Sequence, residues 1–236
     1  MLEKEKQKVF FFKKNLSILF RKIKNLLGIK KPDSYLAEQY IQNQENAYRD
    51  NDDPWSNFCG PLYRILNLHY QIAAACLEEN DIKVLDMGCG LGKFSKILKD
   101  QGRSVIGVDT SKTAISKAKK RYQNIKFFIG DVRFWGNRYQ GKFDAVFLMD
   151  CYHRMGDQDK KHALKNVKRL LKIGGKVIIA YGLDEYLSGR KTDVYPDLYK
   201  EIFSEFKPLQ VIRRQAIDFW TKTDNANRLY VGINSK

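Results

Sequence analysis

Cysteine is scarce in this 236-residue chain, and badly spaced for metal work. Cys59, Cys76, Cys89 and Cys151 form no CxxC pair and have no histidine at zinc-ligand distance, so no metal site is expected. A chain of this size folds without disulfides, and the four read as reduced thiols of a cytoplasmic protein. Long apolar runs are missing as well. Near the N-terminus the longest uninterrupted one spans Val9 to Phe12, too short for a membrane span or the core of a signal peptide. There is no internal repeat and no low-complexity tract. Acidic residues are outnumbered by basic ones, 27 to 43, for a net charge of +16. That excess is lopsided: residues 1–31 hold ten Lys or Arg against Glu3 and Glu5, which is +8, and the remaining +8 is spread over all the rest.

With 43% hydrophobic residues the chain can form a real core, and its length suits one α/β domain plus extensions. From Asp81 onward short β-branched runs alternate with helical patterns. "IKVLDM", "SVIGVD", "IKFFIG", "FDAVFLM" and "KVIIAY" are the strands; "SKTAISKAKKRY" and "DKKHALKNVKRLL" are helices between them. That rhythm predicts a parallel sheet. "LQVIRRQAIDFW" and "NRLYVGIN" follow one another across polar "TKTDNA" with no room for a helix, so they are expected to pair antiparallel at one sheet edge. Upstream, Leu62, Ile65, Leu66, His69, Ile72, Ala73 and Cys76 recur at helical spacing and predict a helix on the core. The fold class is α/β: a Rossmann-like, doubly wound, seven-stranded, mostly parallel sheet with an antiparallel edge strand, plus an N-terminal helical extension.

"VLDMGCGLGKF", at 84–94, lies between the first strand and a helix, at the strand end where doubly wound sheets bind ligands. A dinucleotide fingerprint needs a third glycine where this chain has Lys93. Asp86 also repels a pyrophosphate, whereas it attracts a ligand carrying an ammonium and a sulfonium. S-adenosylmethionine is such a ligand. "VLDMGCGLG" resembles the first motif of the class I S-adenosylmethionine-dependent methyltransferases, and the likeness continues through the next four strands, over roughly residues 80–182.

That resemblance implies site roles. Gly88, Gly90 and Gly92 let the loop approach the methionine part, Asp86 helps to hold its amino group, and Cys89 rides in the loop as a small filler. Asp109, nineteen residues beyond Gly90 and followed by Thr110, accepts both ribose hydroxyls. Asp131 receives the adenine amino group, Val132 offers its backbone N–H, and Met149 and Asp150 flank the methionine end. A plain alternative stands beside these: a glycine loop can simply pack a helix on a strand, and Asp109 can simply cap the next helix.

Methyl transfer asks mainly for alignment, and an alcohol acceptor also wants a base. His153, just past the fourth strand, is the candidate, since an imidazole of pKa about 6.5 is largely neutral at pH 7; packing of its loop is the competing role. His69, on an apolar helical face, reads as a core residue, and His162, on a lysine-rich helix, as solvent-facing. Trp55, Tyr152 and Arg190 are the substrate-side candidates. The DPW at 53–55 followed by a Tyr-Arg helix loosely resembles methyltransferases of sugar-like acceptors, including the nodulation-factor N-methyltransferases. The acceptor is therefore expected to be a small molecule or a lipid-linked glycan, methylated on a hydroxyl or an amine. A lipid or quinone methyltransferase at the membrane surface is the alternative. An RNA methyltransferase is disfavoured, because there is no NPPY or DPPY tetrapeptide, no Pro-Cys nucleophile and no recognisable RNA-binding module.

Three segments are expected: a basic amphipathic helix at 1–32, a helical cap at 33–79 and the catalytic domain at 80–236. In the first, Phe12, Leu16, Leu19, Ile23 and Leu26 form an apolar stripe, with lysines and Arg21 beside it. Such a helix either docks on protein or lies on an anionic membrane through residues 9–31, a peripheral place on the inner face. The density of positive charge favours the membrane.

Overall fold

The computed structural model describes residues 33–54, 63–181, 199–217 and 224–235. By internal contacts the chain divides into two units, Met1–Leu36 and Ala37–Lys236, and nearly all the described residues belong to the second. The expected amphipathic helix at 1–32 lies outside the described residues, as do Trp55 and Arg190.

Helices α1 (Asp33–Asp50) and α2 (Tyr63–Ala74) precede β1 (Lys83–Met87). The chain then runs through α3 (Lys93–Asp100), β2 (Ser104–Asp109), α4 (Lys112–Arg121), β3 (Lys126–Ile129), β4 (Phe143–Met149), α5 (Asp157–Leu170) and β5 (Leu171–Tyr181). A short helix α6 (Tyr199–Ile202) and strands β6 (Lys207–Ile217) and β7 (Asp224–Ile233) follow. Among the described residues the sheet has seven strands in the order β3-β2-β1-β4-β5-β7-β6. β1 through β5 are mutually parallel. The antiparallel member is β7, which inserts between β5 and β6 and pairs antiparallel with both. The chain winds outward from β1 to β3, then crosses back to place β4 on the other side of β1. This reversal opens a crevice at the carboxyl ends of β1 and β4, where such sheets bind ligands.

Both faces of the sheet are buried, which is why its central strands read as continuous apolar runs. On one face Val84, Ala145, Phe147 and Ile178 meet Tyr70 and Ala73 of α2, Phe94 and Leu98 of α3, and Ile115 of α4. On the other, Leu85, Met87, Leu148 and Ile179 meet Leu164, Val167 and Leu170 of α5. The far end of the sheet is held by polar clamps: buried Lys176 donates to Asp81 at 2.6 Å and lies 3.1 Å from Glu78. There Arg103 donates to the carbonyls of Glu78, Glu79 and Asp81.

Candidate cofactor site

The loop after β1 takes its shape from three glycines with positive φ: Gly88 at 80°, Gly90 at 50° and Gly92 at 79°. Left-handed backbone penalises any Cβ, and here neighbours close the space as well. A Cβ on Gly88 would meet Cys151 Sγ at 2.8 Å, one on Gly90 would meet Tyr48 Oη at 2.5 Å, and one on Gly92 would meet the Phe127 ring at 2.7 Å. The amides of Gly88 and Cys89 both donate to Val108 O, at 2.7 and 3.0 Å, fixing the loop to the end of β2. Burial pushes the Cys89 thiol well up, so it stays protonated.

Beneath this loop lies Asp86, with 1% of its surface exposed. Its Oδ2 accepts from Ser95 Oγ at 2.6 Å, whereas its buried Oδ1 has no hydrogen-bond partner among the described residues. Burial pushes its pKa up to about 7, against the Ser95 hydrogen bond and with help from the charge of Asp109. An isolated carboxylate oxygen in such a place is costly unless a cation or donor comes to it. The ammonium of S-adenosylmethionine would be such a group. The residues fit the cofactor.

Asp109 ends β2 half-buried. Its Oδ2 accepts from Gly90 N and its Oδ1 from Ser111 N, each at 2.9 Å. Burial raises its pKa; the amides of Ser111 and Gly90 pull the other way. It therefore braces the glycine loop, and its neighbour Thr110 is half-buried beside it. Helix capping, the plain alternative for Asp109, falls instead to Ser111, whose side chain accepts from Ala114 N at 3.0 Å.

Asp131 is already engaged. Arg133 Nε donates to both of its oxygens, at 2.9 and 3.0 Å, and Arg133 also bonds Asp159 at 2.7 Å. A shared oxygen of Asp131 would have to serve any adenine amino group. The carbonyl of Val132 accepts from Asn166 Nδ2 at 2.7 Å, which fixes the backbone there. Met149 is buried at the end of β4, and Asp150 follows with φ at 54°, the left-handed region that a non-glycine residue enters only when held. Its amide donates to Ala180 O at 2.8 Å.

The Tyr152 side chain has no exposed surface; it belongs to the apolar cluster that holds Leu164, Ile202 and Phe206 on the α5 face, with Lys160 Nζ 5.8 Å from the ring centre. His153 falls in the same 3₁₀ turn, Tyr152–Arg154, and its side chain lies outside the described set.

Residues that the sequence reading did not place here complete the site. His69, buried as expected of a core histidine, presents Nε2 3.8 Å from Asp150 Oδ1. The adjoining Tyr70 hydroxyl feels the charges of Asp150, Asp86 and Asp53, and burial above all raises its pKa. From α1, Tyr48 packs with Leu91 and Ala114 over the loop. Only the helical spacing of α2 hinted at any of these contacts.

Residues 84–175 match the family model described as a methyltransferase domain. The chain is 30% identical over 153 residues to a ubiquinone biosynthesis O-methyltransferase of Coxiella burnetii, with 61% of this chain and 64% of that relative covered. It thus spans a little under two thirds of the relative's length. Among solved structures it is similar to the N-methyltransferase NodS of Bradyrhizobium japonicum in complex with S-adenosyl-L-homocysteine, with a TM-score of 0.65 at 16% identity over 84% of this chain and 98% of that one. It is also similar to the [4+2]-cyclase SpnF, with a TM-score of 0.59 at 15% identity over 71% and 80%. Likenesses at such identities speak to the fold, and the pair shows that this fold hosts more than one reaction.

Proposed function

We propose that this chain, whose residues 84–175 match a methyltransferase domain, is a class I S-adenosylmethionine-dependent methyltransferase that transfers a methyl group to a hydroxyl of a small-molecule acceptor. The observation that carries the reading is the buried, half-satisfied carboxylate of Asp86 beneath a loop of three positive-φ glycines. That oxygen suits an ammonium, and Asp109 at the neighbouring strand end suits the ribose. The bound cofactor supplies an electrophilic methyl on sulfur, so what remains for the protein is alignment and exclusion of water. The crevice end of β4, with Asp150, His69 and the turn that carries His153, is the acceptor side. His153 as base for a hydroxyl remains part of this reading, with Asp150 and Met149 at the methionine end. Trp55 and Arg190 are its acceptor-binding candidates.

Two acceptor classes fit. A glycan or lipid-linked glycan draws on the DPW segment of the sequence. A phenolic quinone precursor draws on the 30% identity to the ubiquinone biosynthesis relative, and that likeness is the more extensive of the two. Either acceptor would reach the enzyme at a membrane surface if residues 9–31 lie on anionic lipid; among the described residues no helix is long and apolar enough to cross one. Incubation with methyl-labelled S-adenosylmethionine and two acceptor sets, polyprenylated catechols and lipid-linked oligosaccharides, tests the proposal. Label in the catechol supports the quinone reading, label in the oligosaccharide supports the glycan one, and label in neither overturns both.

A further inference from the structure

Helices α1 and α4 cap each other. Glu45 of α1 accepts from Ser111 Oγ at 2.6 Å and from Thr113 Oγ1 at 2.5 Å, with Thr113 N 3.4 Å away, so a carboxylate sits at the positive end of α4. In return Lys117 of α4 donates to the carbonyls of Tyr48 and Asn51, at 2.8 and 3.3 Å, and to Asp52 at 2.8 Å, placing a cation at the negative end of α1. The hydrogen bonds from Ser111 and Thr113 hold the Glu45 carboxyl below its ordinary range, although partial burial works against them.

Between these two clamps lies Tyr48. It is 5% exposed, packs on Leu91 and Ala114, and puts its hydroxyl in the space over Gly90 that a side chain would otherwise fill. Ser111 links the clamp to the loop itself: its hydroxyl serves Glu45, while its amide serves Asp109, whose other oxygen holds Gly90 N. The Tyr48 hydroxyl, and not open space, therefore walls the loop at Gly90, and a ligand lying along the loop beside Gly90 meets it.

We infer that Tyr48 is a cofactor-contacting residue supplied from outside the 84–175 domain, and that the Glu45–Lys117 clasp holds it in place, so that cofactor exchange requires the clasp to part. The inference rests on the reading of the glycine loop as the S-adenosylmethionine site. Glu45 and Lys117 act through Tyr48 and are positioning residues; only Tyr48 touches the ligand.

The test uses the full chain and S-adenosylhomocysteine as probe, with dissociation rates from stopped-flow displacement, affinities from calorimetry, and hydrogen exchange across residues 41–52. Tyr48→Phe is expected to weaken binding roughly 5- to 15-fold, the loss of one hydrogen bond, with little change in Tm. Glu45→Gln and Lys117→Met are expected to speed dissociation about tenfold at a temperature well below unfolding, and the probe is expected to slow exchange in residues 41–52 of the wild type. A merely structural clasp would lower Tm and leave the off-rate unchanged. If the wild type binds the probe and all three variants bind and release it as the wild type does, the inference is overturned while the function stands. If the wild type binds nothing, the function itself fails and takes the inference with it.

Discussion

Replacing Asp86 by Asn keeps the shape of the side chain and its place beneath the glycine loop but removes its charge. In the wild type the carboxylate is 1% exposed, with one oxygen bonded to Ser95 and the other bare. A charge-assisted hydrogen bond from the cofactor ammonium to that bare oxygen is worth about 1.5–3 kcal/mol, so Asp86→Asn should weaken S-adenosylmethionine binding roughly 10- to 150-fold. The pH dependence follows from the raised pKa of about 7, which burial causes. Binding a cation needs the deprotonated form, so wild-type affinity should fall about tenfold per pH unit below about 7, and the variant should show no such fall. Stability of the ligand-free protein runs the other way. The folded state holds this proton more tightly than the unfolded chain does, so the charge destabilises the fold above the folded pKa, and that penalty is relieved as pH drops from about 7 toward 4. The relief amounts to a few kcal/mol, on the order of 1.4 per unit of pKa displacement. Asp86→Asn should therefore melt higher than the wild type at pH 8 while binding worse. Calorimetric titrations and melting curves at pH 5.5, 7 and 8.5 measure both. Equal affinity of the two proteins across that range would refute the assignment of Asp86.

Three further outcomes are expected. Gly90→Ala places a Cβ 2.5 Å from Tyr48 Oη at a φ of 50°, and should lower stability by roughly 1–3 kcal/mol in chemical denaturation and abolish measurable cofactor binding. Lys176→Met leaves buried Asp81 without its 2.6 Å partner at the far end of the sheet, and should cost about 3–5 kcal/mol of stability in urea titration while cofactor affinity per folded molecule stays the same. Full-length protein should sediment with anionic vesicles less as salt rises, and protein lacking residues 1–32 should remain in the supernatant; equal partition of the two at low salt would remove the membrane role of residues 9–31.

Much of the architecture was legible because burial on both faces writes itself into the strands. "VLDM", "VIGV" and "AVFLM" carry almost no polar residue, and a parallel sheet is the arrangement that consumes such runs. The glycine spacing was legible for a related reason, since three positive-φ positions tolerate little else. Side-chain direction at the strand ends was not. Tyr152 stands in a polar stretch two residues past the Asp150 turn, yet its ring swings back onto α5; nothing in the order of residues states which way a 3₁₀ turn points them. The arginine two residues beyond Asp131 engages it through a bidentate geometry that spacing alone does not reveal. The contacts of Glu45 span more than sixty residues to α4, and His69 reaches Asp150 from another helix. Helical periodicity says that a face is buried; it does not say which end of the sheet that face covers.

The central claim is that the glycine loop, Asp86 and Asp109 form an S-adenosylmethionine site. Calorimetric titration of the wild-type protein at pH 8 with S-adenosylmethionine and then with S-adenosylhomocysteine tests it most directly. The account predicts saturable binding of both at one molecule per chain, lost or strongly weakened in Asp86→Asn; a folded wild-type protein that takes up neither ligand would contradict it.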